Sequence, residues 1–418
     1  MKTLPSGRIT SVLSLALLWS IALDARAAQW ITSWGAAPEP PTLAAGPFPG
    51  TPSFSNQTIR EVVRLSAGGQ RVRILFTNAY GAKALRIGAA RVALADPSGD
   101  VQQATLHAVL FAGEPSAWVP PGAPLLSDPI DLPVAPLATL SISIYLPEDT
   151  GPCTCHSVGA QTAYVSGSGD LTDKPFTPER TMLARAFIAG VEVEPSGPAK
   201  SIVVLGDSIS DGVGSTANAN RRWPDVLAER LAHQHARLAW GVVNMGISGN
   251  RVLGDGAGQS ALARMDRDVL AVPGAAYVIV FEGVNDLGIS YGHPSGPFAG
   301  YFKRFASGNK ATAEALIAGY RQIIARAHAK GLKVFGATIT PYGGAGYYSE
   351  EGEAQRQAIN RWMRSSGAFD AVLDFDAVLR DPSQPTQMQA ALQAGDHLHG
   401  SDAGYAALAR SIDLALFK

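Results

Sequence analysis

Hydrophobic and polar positions repeat with one period in the first half of the chain and another in the second. In Arg71–Asn78, Val72, Ile74 and Phe76 share a face while Arg71, Arg73 and Thr77 take the other; Leu140, Ile142, Ile144 and Leu146 likewise alternate with Ser141, Ser143 and Tyr145. A period of two belongs to half-buried antiparallel strands. Similar short runs at Ile59–Leu65, Arg86–Leu94 and Ala163–Val165, separated by Gly, Pro and Asp, predict an all-β domain over residues 28–195, a sandwich or jelly roll.

The segment Pro195–Pro198 breaks this pattern, and from residue 200 to 418 apolar runs alternate with helical periodicity. Strands are predicted at Ser201–Leu205, Gly241–Asn244, Tyr277–Phe281, Lys333–Thr338 and Ala371–Phe375. Between and after them come helices from about Trp223 to Ala236, Ser260 to Leu270, Thr312 to Lys330, Glu351 to Ser365 and Asp402 to Leu416. Five strands alternating with helices predict an α/β domain whose parallel sheet is covered on both faces. The right-handed crossover rule sets the loops that follow the strands along one edge, where their side chains can meet.

Composition adds limits. A chain of 418 residues is more than one hydrophobic core usefully serves, and 46% hydrophobic with 17% charged residues is ordinary for a globular protein. Lys and Arg (34) balance Asp and Glu (35), for a net charge of -1 with no basic tail, so nothing points to nucleic acid or an anionic membrane as partner. At the start, Lys2 and Arg8 precede the apolar run Val12–Leu23, and Ala25-Arg26-Ala27 supplies a small-x-small cleavage pattern. This predicts a signal peptide over residues 1–27 and a secreted or periplasmic protein. The apolar run is shorter than the roughly 20 residues a spanning helix needs, and no later segment is long enough, so no integral membrane segment is expected after cleavage. The only cysteines, Cys153 and Cys155, are one residue apart; a strand would put their Cα atoms near the upper limit for a disulfide. A zinc site is the weaker reading, because no second Cys/His pair accompanies His156.

The candidate chemistry lies where strands end. An apolar run closes at Gly206-Asp207-Ser208, which puts a hydroxyl just past the carboxyl end of a buried strand, the place for a nucleophile. Asn244–Asn250 brings Gly249, whose amide no side chain would shield from an approaching carbonyl. Gly283-Val-Asn-Asp286 brings the Asn285 amide as a second donor to a developing oxyanion. In Gly395–Gly400, Asp396 and His399 are three apart, a spacing that lets the carboxylate hold Nδ1–H and leaves Nε2 for a serine; His397 follows Asp396 directly and should turn away, toward solvent or the first domain. Each of these alone is more often a turn or a cap.

In this order, the four blocks resemble the GDSL family of lipases and esterases, also called SGNH hydrolases, with Ile209 where the family's name has Leu. The resemblance covers residues 200–418 and implies a flavodoxin-like domain with a five-stranded parallel sheet. It implies Ser208 as nucleophile, His399 as general base and Asp396 as its orienter, with Ser208 N–H, Gly249 N–H and Asn285 forming the oxyanion hole. The expected activity is that of a serine esterase cleaving short-chain, above all acetyl, esters of small molecules or polysaccharides, without metal or other cofactor. An acyltransferase on the same scaffold and a non-catalytic glycan-binding protein are the alternatives. The β-rich half is similar to the accessory domain of some bacterial members. It is read as a wall of the neighbouring site or as a carbohydrate-binding module presenting Trp30, Trp34, Tyr80 and Trp118.

Overall fold

The computed structural model describes residues 29–44, 50–96, 99–234, 238–293, 300 and 310–418. The expected leader, residues 1–27, lies outside the described residues, as does much of the glycine-rich stretch 288–308.

Two antiparallel sheets face one another over a single core in the amino-terminal part. One has the spatial order Ile31–Gly35, Ile188–Glu194, Arg71–Thr77, Pro124–Leu126. The other runs Arg180–Met182, Ala163–Ser168, Gln57–Arg64, Thr139–Leu146, Ala89–Ala95, His107–Ala108. Val72, Ile74 and Phe76 from the first sheet and Leu140, Ile142, Ile144 and Leu146 from the second are fully buried in that core, as their alternation predicts. The alternation misleads on one point: Ser141 and Ser143 are buried too. Their strand lies inside the six-stranded sheet, and Arg60 on its neighbour reaches across, donating to Ser143 Oγ at 2.9 Å. A long charged side chain thus covers a face that its polar pattern marks as wet.

In the carboxy-terminal part five strands form a parallel sheet in the order Ala239–Gly246, Ala199–Gly206, Ala275–Phe281, Lys333–Ala337, Ala371–Leu373. In chain order this is 2-1-3-4-5, the flavodoxin-like winding, with its crevice beside the first strand where the winding direction reverses. Register aligns three strand ends, since Gly206 pairs with both Gly246 and Phe281. Ser208, Gly249 and Asn285 therefore leave the sheet within two to four residues of one common line.

Several predicted elements end earlier than their patterns suggest. The last helix covers Asp402–Ser411 and stops before Asp413, whose carboxylate caps a separate 3-10 turn, Leu414–Leu416, by accepting from Ala415 N at 2.9 Å. The helix expected from Ser260 to Leu270 is an α-helix only over Ala261–Met265, capped by Ser260, and continues as a π-helical turn, Asp266–Leu270. An additional helix, Val284–Tyr291, follows Gly283 directly. Gly283 has φ 120, and a Cβ there would stand 2.5 Å from the Tyr320 hydroxyl, so only glycine makes this sharp turn from strand into helix.

Many specific contacts join the two parts. Ser201 Oγ donates to Thr32 O at 2.9 Å, Val242 N donates to Ser66 Oγ at 2.8 Å, and Arg64 pairs with Glu229 at 2.8 Å. Trp34 is buried in the core, and the Tyr80 hydroxyl bonds across the boundary to Gln259 at 2.9 Å while accepting from Arg267 at 2.9 Å. Both are thereby engaged in packing. Trp30 lies beneath the Arg73 guanidinium, 4.3 Å from its ring centroid, whereas Trp118 is 51% exposed beside Arg86.

Candidate active site

Asp207 caps the four-residue helix Ser208–Asp211, its carboxylate accepting from Ile209 N at 2.9 Å, and so fixes the turn that presents Ser208. Behind that turn Arg264, fully buried, donates to Gly206 O (3.0 Å), Met245 O (2.6 Å) and Asn250 Oδ1 (3.0 Å), tying together the ends of the first two strands. Asp268 lies 3.2 Å and Glu282 3.3 Å from its guanidinium. Burial pushes Asp207 up to about 7 and Glu282 well above the ordinary carboxylate range, with the nearby acidic groups adding to both shifts and Arg264 opposing them.

Ser208 Oγ lies 2.8 Å from His399 Nε2, and His399 Nδ1 lies 2.5 Å from Asp396 Oδ2. With a carboxylate on Nδ1, that nitrogen carries the hydrogen and Nε2 is left to accept from the serine. Asp396 is folded onto its own loop, its Oδ1 accepting from Leu398 N at 3.0 Å and His399 N at 2.9 Å, so the three-residue spacing closes as a turn. Burial would raise this carboxyl, but the bonds from His399 and the backbone outweigh it and hold the group below the usual carboxylate range. The loop is fastened to the serine's own loop: Thr216 N and Oγ1 donate to Asp402 at 2.8 and 2.7 Å, and the Tyr405 hydroxyl donates to Val213 O. His397 turns away from Ser208, as expected, and stays part-exposed. Its backbone has φ 61 and its ring packs against Gly344, in the loop after the fourth strand of the parallel sheet.

Gly249 has φ 82, a left-handed conformation that favours glycine. Its loop is held on both sides. Before it, Ser248 donates from N at 3.0 Å and from Oγ at 2.6 Å to Asp211 Oδ2; after it, Val252 N and Leu253 N donate to Asp286 at 2.8 and 3.1 Å. Asn285 Nδ2 donates to Asn250 O at 3.0 Å, and the Tyr347 hydroxyl donates to Asn285 Oδ1 at 3.1 Å. These two bonds fix which way the amide faces, and among the described residues its second N–H donates to no other protein group. Among the described residues neither the Ser208 nor the Gly249 amide donates to another protein group. Gly249 sits between Ser248, tied to the serine's helix through Asp211, and Asn250, whose carbonyl accepts from Asn285. The structure brings Ser208, His399 and Asp396 into one hydrogen-bonded line and ties the Gly249 loop to the serine's helix through Asp211 and to Asn285 through Asn250.

Three groups escaped the sequence reading. Tyr347 lies in the glycine-rich loop of residues 341–349, with no local signal to tie it to Asn285. Asp286 passed for a turn residue. Asp211 and its partner His156 are 55 residues apart with no local signal to link them. Cys153 and Cys155 form a disulfide with Cα atoms 5.3 Å apart, comfortably within bridging range. A fully extended strand would set them farther apart, but the paired segment is only Cys155–His156, and Cys153 precedes it.

Residues 204–407 match the GDSL-like Lipase/Acylhydrolase family. No curated protein matches the chain. Among solved structures, the chain is similar to an acetyl xylan esterase from Geobacillus stearothermophilus, with 23% identity and a TM-score of 0.38, over 51% of this chain and 93% of that one. It is also similar to a lipase/acylhydrolase from Enterococcus faecalis, with 18% identity and a TM-score of 0.37, over 51% and 92%. A GDSL-like lipase from Bacteroides thetaiotaomicron gives 16% identity and a TM-score of 0.37, over 52% and 87%. On the family match, residues 204–407 are a GDSL-like lipase/acylhydrolase domain, and the chain is a carboxylic ester hydrolase.

Proposed function

We propose that this esterase works through a Ser208–His399–Asp396 triad and an oxyanion hole made by Ser208 N–H, Gly249 N–H and the Asn285 amide. The unbroken line from Ser208 Oγ through His399 to Asp396, at 2.8 and 2.5 Å, is the observation that carries this reading. Ser208 Oγ attacks the ester carbonyl carbon as its proton passes to His399 Nε2, and the carbonyl oxygen becomes an oxyanion facing the three donors. His399 then gives the proton to the departing alkoxide, which leaves as the alcohol, with the acyl group on Ser208. Water attacks that acyl-enzyme with His399 again as base, so the acid is released and the serine restored. Asp396, ionised throughout the neutral range, orients the ring and offsets the charge the imidazole gains.

The substrate we propose is a short-chain acyl ester, acetyl above all, on a small alcohol or a polysaccharide. Support comes from the tight enclosure of the nucleophile, since Ser208 is only 5% exposed. We also propose export, to the periplasm or the medium. The predicted leader supports this, as does a buried disulfide of a kind that persists in oxidising compartments. A panel of nitrophenyl esters of increasing chain length, run beside acetylated xylan and pectin, tests the substrate reading. Turnover should be highest at acetyl and fall with length; a maximum at long chains would overturn it.

A further inference from the structure

His156 belongs to the amino-terminal sandwich yet is buried against the helix that carries the nucleophile. Its Nε2 lies 2.9 Å from Asp211 Oδ1 and 3.1 Å from Val158 O; its Nδ1 lies 3.0 Å from Ala37 O and 3.2 Å from Glu39 Oε1. All four neighbours are acceptors, so both ring nitrogens must donate and the ring is an imidazolium. Burial works against that charge, but Asp211 and Glu39 outweigh it and raise the group to about 10. The segment is pinned in place. The Cys153–Cys155 disulfide closes just before His156, Glu39 N donates to Cys155 O at 2.8 Å, and Phe187 N donates to Thr154 O at 3.0 Å. The other oxygen of Asp211 takes both bonds from Ser248, the residue before Gly249.

We propose that His156 is a positioning residue for catalysis: through Asp211 and Ser248 the sandwich domain holds the Gly249 amide in register with Ser208. This deepens the reading of the site given above and rests on it. Asp211 ends the helix that begins at Ser208, and its carboxylate has one oxygen on His156 and the other on Ser248. With the imidazolium gone, the carboxylate loses its fixed counter-charge and is free to rotate, and the Ser248–Gly249 peptide can shift. A donor displaced by about 1 Å from a developing oxyanion can cost on the order of 100-fold, while ground-state binding of the ester changes little. The sandwich is then part of the catalytic machinery by way of one contact.

The test uses the full-length protein and three variants, His156→Ala, Ser248→Ala and the double variant, each assayed on nitrophenyl acetate and titrated with a boronic acid that forms a reversible tetrahedral adduct on serine. The expected result for His156→Ala is a loss of kcat of about 10- to 100-fold with KM within about threefold, and an equal loss of boronate affinity. Ser248→Ala should move the same way. The double variant should fall no further than the worse single variant, because both break one chain of contacts. Full kcat in folded His156→Ala, or losses that multiply in the double variant, overturns the proposal. Should His156→Ala not fold, Ser248→Ala decides, and unchanged kcat there overturns it as well. Wild-type labelling by a serine-directed phosphonate reports on Ser208 itself, so failure of the triad reading would show there and failure of the His156 proposal would not.

Discussion

Replacing Asn285 by Ala removes one oxyanion donor and two ground-state hydrogen bonds at once, and the two consequences separate cleanly. Loss of a single donor of this kind costs about 10²–10³ in kcat, near 3 kcal/mol, because the interaction strengthens as charge develops on the oxygen. The same change removes the bonds that Asn250 O and the Tyr347 hydroxyl make to Asn285, 3.0 and 3.1 Å at a buried site. At about 1 kcal/mol each, the folded state loses roughly 2 kcal/mol. Tyr347→Phe is the control. It breaks one of those bonds and leaves the donor in place, so it should cost about 1 kcal/mol of stability and lower kcat less than about tenfold. Steady-state kinetics on nitrophenyl acetate with parallel denaturant unfolding measures both effects. Equal kcat losses in the two variants, or a rise in KM with kcat intact for Asn285→Ala, would refute the assignment of Asn285 to the oxyanion hole.

His399→Ala should be nearly inactive and His397→Ala should keep most activity on the same short ester, because His399 bonds Ser208 whereas His397 packs on Gly344; the reverse outcome would mean the loop adopts a different register. Stability should fall as pH rises through about 10. His156 is raised from its ordinary value near 6.5, so its stabilisation is complete below that value and is lost as the ring deprotonates between the two pH values. Glu39 and Asp211 face its ring directly, with Glu61 also nearby and Arg185 beside Glu61; unfolding curves in which His156→Ala shows the same decline as wild type would contradict this. Mass spectrometry of exported protein should find the chain beginning just after Ala27, and an intact Met1 or Lys2 end would rule out the proposed leader.

The five residues of the candidate site were legible because each sits within a few residues of a strand end or a helix start, where a local pattern fixes its place. Ser208 follows an apolar run closing at Gly206, and Asp396 and His399 share one turn before the last helix. What the sequence concealed depends on contacts between distant segments. Asp211 reads as an ordinary helix-end acid until the sheet and the sandwich bring Ser248 and His156 to its two oxygens. Tyr347 shows its role only when the loop after the fourth parallel strand folds back over Asn285. Ser141 and Ser143 carry a solvent-facing pattern yet both are buried, and Arg60 reaches across the sheet to Ser143. Periodicity describes one element at a time, so it gave the layers and the edge carrying the chemistry but not the braces behind that edge.

The most direct test of the account is covalent. Wild-type protein is treated with a fluorescent serine-directed phosphonate, digested and mapped by mass spectrometry, beside folded Ser208→Ala. A single adduct on the peptide containing Ser208 is predicted, with no labelling of the variant and a loss of turnover on the order of 10⁴–10⁶. An adduct on Ser210 or elsewhere, or near wild-type turnover by folded Ser208→Ala, would contradict the account.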